Sequence, residues 1–239
     1  YQPGWMLRSY GKKVSVSSSL EGYPAENIVD EDARTAWVAQ SNRDMEWAQV
    51  DLQRLSSIHA IQVNFDEYGA NQKGAVSGVY QSYLIYASVN GEDWSLVVDY
   101  GTKKTDTPHD YIEFEEPFKA RYIKLQNKEY MVSENFSVRD LRIFGKGQGS
   151  TPRAVNDFTV ERDEADPCKA RLCWEAVPDA QGYIVRYGIA GDKLYNNFQV
   201  MGENTLEIGS LNKGVAYYFT IDAYNENGIT RTSRIKVCR

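Results

Sequence analysis

The chain has 239 residues, 42% of them hydrophobic, which is enough apolar surface for one large core or two ordinary ones. Its formal net charge is -6, with 16 basic against 21 acidic side chains before Ser150 and 11 against 12 from there on. Excess acid argues against nucleic acid, whose binders cluster Lys and Arg to displace phosphate counterions, and against anionic membrane surfaces; no run of about 18 apolar residues is present to insert into a bilayer. The chain opens on Tyr1 rather than Met and shows no signal-peptide pattern, so a piece of a longer protein is expected.

Asn27 to Trp37 is the first informative stretch. Asp30, Asp32 and Thr35 fall at i, i+2 and i+5 of one turn-forming loop. Calcium takes about 6–8 oxygen ligands from carboxylates, hydroxyls and carbonyls, so this loop is a candidate hard-cation site. A solvated acidic turn is the alternative, because the Gly-containing EF-hand pattern is absent. A short helical turn is expected near Glu26 to Val29. Farther on, Ile61, Val63 and Phe65 alternate with Gln62, Asn64 and Asp66, the period of two of a half-buried strand. Val50 and Leu52, Ile123 and Leu125, and Leu141 and Ile143 repeat it. Asn90-Gly91 predicts a hairpin through a type I′ turn, which needs positive φ at both residues. Gly145 to Pro152 holds three glycines, a Ser-Thr pair and a proline, and reads as a linker. A phosphate-binding loop would need a helix after it, and none is indicated.

Beyond the linker a second strand pattern begins: Leu172 and Trp174, then Tyr183, Val185 and Tyr187, then Tyr217, Phe219, Ile221 and Ala223 ahead of Asn225 to Gly228. The three cysteines, Cys168, Cys173 and Cys238, have poor zinc spacing. No nucleophile motif accompanies His59 or His109. Glu115 and Glu116 would point to opposite faces of a strand, so they cannot flank one substrate as a hydrolytic carboxylate pair must. Binding rather than turnover is the expectation. Sugar rings stack their C–H faces on aromatics while polar groups hold their hydroxyls. Loop residues fitted to this are Tyr23, Tyr68 and Tyr80 in the stretches up to Ser82, and Tyr130, Asn135 and Phe136 between Asn127 and Phe136.

Five motifs in order, Asn27 to Trp37, Glu46 to Leu52, Asn90 to Trp94, Ala120 to Leu125 and Val138 to Gly145, resemble the discoidin or coagulation-factor type C module, a family that includes bacterial carbohydrate-binding modules. The resemblance covers about residues 10 to 146. It implies a jelly-roll β-sandwich with a structural calcium, held by the Asn27 carbonyl, the Asp30 carboxylate, Asp32, Thr35, the Arg139 carbonyl and the Asp140 carboxylate. Glu31 stands where the family usually has Gly, and Asp140 where it usually has Glu. Trp37, Trp47 and Trp94 fall in the motifs and are expected in the core. Ligand binding is implied at loops of one end of the jelly roll.

Residues 152 to 238 resemble a fibronectin type III domain, with a buried Trp on the second strand and a tyrosine-corner segment on the sixth. The expected organisation is all-β: a jelly-roll module over 1–146, a linker over 147–152 and an immunoglobulin-like sandwich over 153–239. The type III likeness implies that Cys168 and Cys238 lie at one end of the sandwich and can pair, with three free thiols as the alternative. The opening segment and the order of modules resemble the C-terminal part of bacterial family 43 glycoside hydrolases. This implies a non-catalytic, secreted, periplasmic or cell-surface accessory region of a xylosidase- or arabinosidase-like enzyme. Its N-terminal catalytic domain is absent here, and its partner is a plant or host glycan of hemicellulose type or containing galactose. A protein-binding adhesion module is the other class.

Overall fold

The computed structural model of the protein describes residues 4–70 and 78–239, so Tyr1 to Pro3 of the opening segment and the middle of the Asp66 to Ser82 loop lie outside the described residues. It divides into two compact units, Tyr1–Gln148 and Gly149–Arg239.

In the first unit, β1 (Met6–Leu7), β2 (Lys13–Val16), β3 (Trp37–Val38), β4 (Trp47–Phe65), β5 (Gln81–Ser88), β6 (Ser95–Tyr100), β7 (His109–Tyr130) and β8 (Ser137–Lys146) form one antiparallel sheet. Its order is β1-β8-β4-β7-β5-β6, with β2 on β4 and β3 on β8. A 3-10 turn spans Ala25–Val29, where the helical turn was expected. At 19 and 22 residues, β4 and β7 are too long to stay in one layer. The first part of β4 pairs with β2 and the end of β7, the second with β8 and the start of β7. Between them the register breaks from Asp51 to Ser56, where Gln53 takes φ 65 and donates its N–H to Asp51 Oδ1 at 2.7 Å. Such a bulge bends and twists the strand.

The bend closes the sheet over its own core. Tyr83 of β5, a strand that pairs with late β7, puts its hydroxyl 2.7 Å from Asp110 at the start of β7 and its ring 5.3 Å from Phe65. This is the expected jelly roll. Ile61, Val63 and Phe65 face inward and are buried, while Gln62 and Asn64 between them are half-buried, so the period of two maps onto the two faces. Trp37 is fully buried, but Trp47 and Trp94 are only half-buried, on the outer surface, which corrects the expectation of a core role. Trp47 alternates with buried Ala48, so the same period carries it outward. Asn90-Gly91 does sit in the β5–β6 connection, but not as a type I′ turn. Gly91 has φ 82 and Asn90 is not left-handed; instead Asn90 Oδ1 accepts the N–H groups of Glu92 and Asp93, each at 2.9 Å.

The second unit stacks a three-stranded sheet, β13-β10-β9, and a five-stranded one, β12-β11-β14-β15 with β16 on β14. The strands are β9 (Phe158–Arg162), β10 (Ala170–Trp174), β11 (Gly182–Gly188), β12 (Asn196–Met201), β13 (Thr205–Ile208), β14 (Tyr217–Asn225), β15 (Gly228–Thr230) and β16 (Lys236–Cys238). Leu172, Trp174, Tyr183, Val185, Phe219 and Ile221 form one core, with the Trp174 and Tyr183 rings 5.1 Å apart. The Tyr217 hydroxyl accepts the Asn212 N–H at 3.2 Å, closing a corner over the preceding loop.

The linker reading needs correction at its end. The Ser150 carbonyl accepts Asn225 Nδ2 at 3.0 Å and Asn227 Nδ2 at 3.2 Å, and Thr230 Oγ1 donates to the Pro152 carbonyl at 2.5 Å. Pro152 is buried, so these residues are packed into the second unit. The expected Cys168–Cys238 bond is likewise corrected: all three cysteines are free, Cys168 exposed and Cys238 buried. The Cys168 carbonyl accepts the Leu211 N–H at 2.9 Å, and Cys238 stands opposite Tyr217 on β14.

Candidate functional site

At one end of the jelly roll, carboxamide side chains tie the loops together. Asn127 Nδ2 donates to the carbonyls of Asn42 and Arg43 at 2.8 and 2.9 Å, Asn42 Nδ2 donates to Ser133 O at 2.8 Å, and Asn135 Nδ2 donates to Ala39 O at 2.9 Å. Glu46 collects the hydroxyls of Ser17, Ser18 and Ser41. Burial pulls its carboxyl upward, but the Ser17, Ser41 and Ser18 hydroxyls with Arg43 outweigh this and hold it below the usual carboxylate range. The connection after β3 is thereby fixed against both the start of the chain and the β7–β8 loop.

The six loop candidates separate into four groups on this frame. Tyr23 and Tyr68, from different loops, meet edge to face with centroids 4.9 Å apart, and both stay half-exposed. Tyr80 is committed elsewhere: its hydroxyl donates to Glu129 at 2.5 Å, and the Lys104 ammonium sits 4.2 Å from its ring centroid while pairing with Glu129. Tyr130 and Phe136, at 2% and 1% exposure, are core residues, which corrects their assignment as sugar contacts. The Tyr130 hydroxyl donates to the Asp66 carbonyl, and its ring lies 5.3 Å from that of Phe136. Asn135 acts as a brace between loops. The bracing amides Asn42 and Asn127 were not singled out from sequence, where an isolated Asn carries no signal for a partner some 85 positions away.

The acidic loop brings some of its oxygens together. Thr35 Oγ1 lies 2.8 Å from Asp30 Oδ2 and 2.9 Å from the Asp32 carbonyl, and Asp30 Oδ1 accepts the Asp32 N–H at 2.8 Å. The Asp32 carboxylate instead takes a two-pronged contact from Arg34, at 2.9 and 2.7 Å, and the Arg34 hydrogen bonds bring its pKa down to about 2. Asn27 Nδ2 donates to Ala36 O at 2.8 Å, and Asp140, buried on β8, accepts Asn64 Nδ2 at 2.8 Å. Arg139 points its guanidinium at Asp66, 2.5 Å away. Glu31 holds φ 61, the conformation glycine supplies most easily, and is secured by Arg142 through contacts of 3.0 and 2.7 Å. Among the described residues no three His, Cys, Asp or Glu side chains converge. The donors that do converge, Asp30, Thr35 and the Asp32 carbonyl, are hard oxygens suited to calcium rather than to a soft transition metal.

This combination of a jelly roll with a braced loop end defines a discoidin-type module. The F5/8 type C domain matches residues 13–140, and the chain belongs to that family. Lactadherin of Rattus norvegicus is 31% identical over 128 residues, covering 51% of this chain and 26% of that protein, and lactadherin of Mus musculus is 30% identical over 128 residues, covering 51% and 24%. The chain thus spans about a quarter of the length of these relatives. Among solved structures, a point mutant of chitosan-binding module 1 from a chitosanase/glucanase of Paenibacillus sp. IK-5 superposes with a TM-score of 0.50 at 19% identity, covering 59% of this chain and 99% of that one. At that identity the likeness concerns the fold.

Proposed function

We propose that the chain is a non-catalytic, glycan-binding accessory region of a secreted bacterial glycoside hydrolase of xylosidase or arabinosidase type, whose catalytic domain lies N-terminal to it. The observation that carries this reading is the Tyr23–Tyr68 pair: two rings from separate loops, half-exposed and held on a braced end of the jelly roll. Such rings suit the C–H faces of a sugar, and a shallow site of one or two stacking contacts binds at about millimolar to micromolar strength, or roughly -4 to -8 kcal/mol. The ligand class is a hemicellulose-type or galactose-containing glycan. The fold shared with a chitosan-binding module is in keeping with this.

A calcium ion in the acidic loop completes the proposal. Asp30, Thr35 and the Asp32 carbonyl would hold it with the Asn27 and Arg139 carbonyls and Asp140; its role is structural, closing the loop beside the site. The second unit is read as a type III spacer, on the strength of its two antiparallel sheets, buried Trp174 and Tyr217 corner. Adhesion to a protein is the competing reading, favoured by exposed Ile189 and Tyr195 on that unit, 63% and 79% accessible. A glycan array distinguishes the two. Binding of plant or host glycans that disappears with Tyr23→Ala supports targeting, whereas silence on the array together with capture of a protein partner supports adhesion.

A further inference from the structure

The outer face of the first unit's sheet carries a cluster that the loop end does not use. On β4, Trp47, Gln49 and Asp51 alternate with buried Ala48, Val50 and Leu52, and on β7, Tyr122 and Lys124 alternate with buried Ile123 and Leu125. Lys124 lies directly across from Gln49 of β4 on one side and Tyr86 of β5 on the other. Its ammonium stands 4.0 Å from the Trp94 ring centroid, 5.7 Å from Tyr86 and 6.0 Å from Trp47. Tyr122 meets Trp94 edge on at 6.5 Å. All four rings are half-exposed.

The cluster is pre-organised. Ser88 Oγ accepts the Gly91 N–H at 2.9 Å, and Asn90 Oδ1 accepts the next two N–H groups, fixing the loop that delivers Trp94. Gly91 backs onto Tyr122 so closely that a Cβ there would meet the ring at 3.3 Å. The charge is not balanced. Arg121 on the same strand is matched by Asp51 at 2.8 Å. Lys124 has no carboxylate partner among the described residues, and its neighbours Gln49, Tyr86, Tyr122 and Gln126 are all uncharged. Burial alone moves Lys124 below the ordinary lysine pKa, as expected of a cation partly withdrawn from water with no anion to offset it.

We propose that this face is a second binding site, for an oligosaccharide that carries uronic acid units. Tyr86 and Trp47 offer ring faces to the apolar sides of the sugars, Gln49 offers an amide to their hydroxyls, and Lys124, held over the Trp94 ring, pairs with a uronate carboxylate. A neutral glycan would leave the ammonium with aromatic rings for partners and no anion. An acidic peptide would supply the anion but leave the faces of Tyr86 and Trp47 unused.

The test titrates the full chain with trigalacturonate and with a neutral galactose trisaccharide, reading heat and tryptophan emission. Trigalacturonate should bind and shift the emission, whereas the neutral sugar, a ligand for the tyrosine pair, should leave the emission of Trp47 and Trp94 unshifted. Lys124→Met, which keeps the apolar stem, should weaken uronate binding about tenfold, the worth of one charge-assisted contact. Tyr68→Ala, at the loop end, should leave uronate binding within about twofold, so the two sites fail independently; sites that share no contacting residue seldom couple. No binding of trigalacturonate, an unchanged affinity in Lys124→Met, or loss of uronate binding in Tyr68→Ala would each overturn the site. Full displacement of the uronate by hexaglutamate would overturn it in favour of an acidic protein partner.

Discussion

Two pairs of aromatic residues in the loops of the first unit have opposite fates. Tyr130 and Phe136 are core residues at 2% and 1% exposure, whereas Tyr23 and Tyr68 meet edge to face in half-exposed positions. The sequence around them is similarly polar. What separates them is long-range geometry: Tyr130 is the last residue of β7, its hydroxyl reaches Asp66, and its ring packs with those of Phe65 and Phe136. A loop aromatic therefore becomes a ligand candidate only once the contacts between loops have been assigned.

The sharpest way to break this comparison is to truncate one ring of each kind. Phe136→Ala should cost about 3–5 kcal/mol, the usual penalty for emptying a buried aromatic site. Tyr23→Ala should stay within about 0.5 kcal/mol, as surface substitutions do. Urea unfolding followed by tryptophan emission measures both; equal costs would mean that the two pairs do not differ in kind.

The acidic loop is expected to show the next largest effect. A calcium that binds only the folded chain adds about 3–4 kcal/mol at a free concentration 100 to 1,000 times its dissociation constant, so EDTA should lower the first unit's melting temperature. Asp30→Asn should abolish that response. Asp32→Asn should leave most of it, because the Asp32 carboxylate serves Arg34 and only its carbonyl faces Thr35. Melting that ignores EDTA in the unaltered chain would remove calcium from the account.

Much of this was legible in the sequence, and the losses have a common cause. The alternation of Ile61, Val63 and Phe65 is a local pattern, and it maps directly onto a strand with one buried face. The ordered motifs across residues 10 to 146 likewise pointed to the type C family. Trp47 was misjudged although the same period of two, read from Ala48, would have turned it outward. The packed Ser150 to Pro152 segment and the free Cys168 and Cys238 were beyond reach, since each depends on partners brought in by the fold, Asn225, Thr230 and Tyr217 among them.

A smaller effect sharpens the contrast between the braced loops and the open pair. Glu46 and Asp51 are both held below their ordinary carboxylate values, Glu46 by serine hydroxyls that overcome its burial and Asp51 chiefly by Arg121. With a depressed folded pKa, the stabilisation is present above the unfolded values, about 4.3 for Glu and 3.9 for Asp, and is lost as pH falls through the folded ones. Melting should be level from neutral pH to about 5 and decline below about 4. Glu46→Gln should make that decline shallower, and an identical acid limb in the variant would deny Glu46 its bracing role.

The central claim is that the half-exposed tyrosine pair binds glycan without holding up the fold, and calorimetric titration of Tyr68→Ala with galactose-containing and xylan-derived oligosaccharides, alongside a melt of the same sample, tests it most directly. Loss of one stacking ring should weaken binding about three- to tenfold while the melting temperature stays put. Unchanged affinity for every such glycan that the unaltered chain binds, or a weakening that merely tracks a fall in melting temperature, would contradict it.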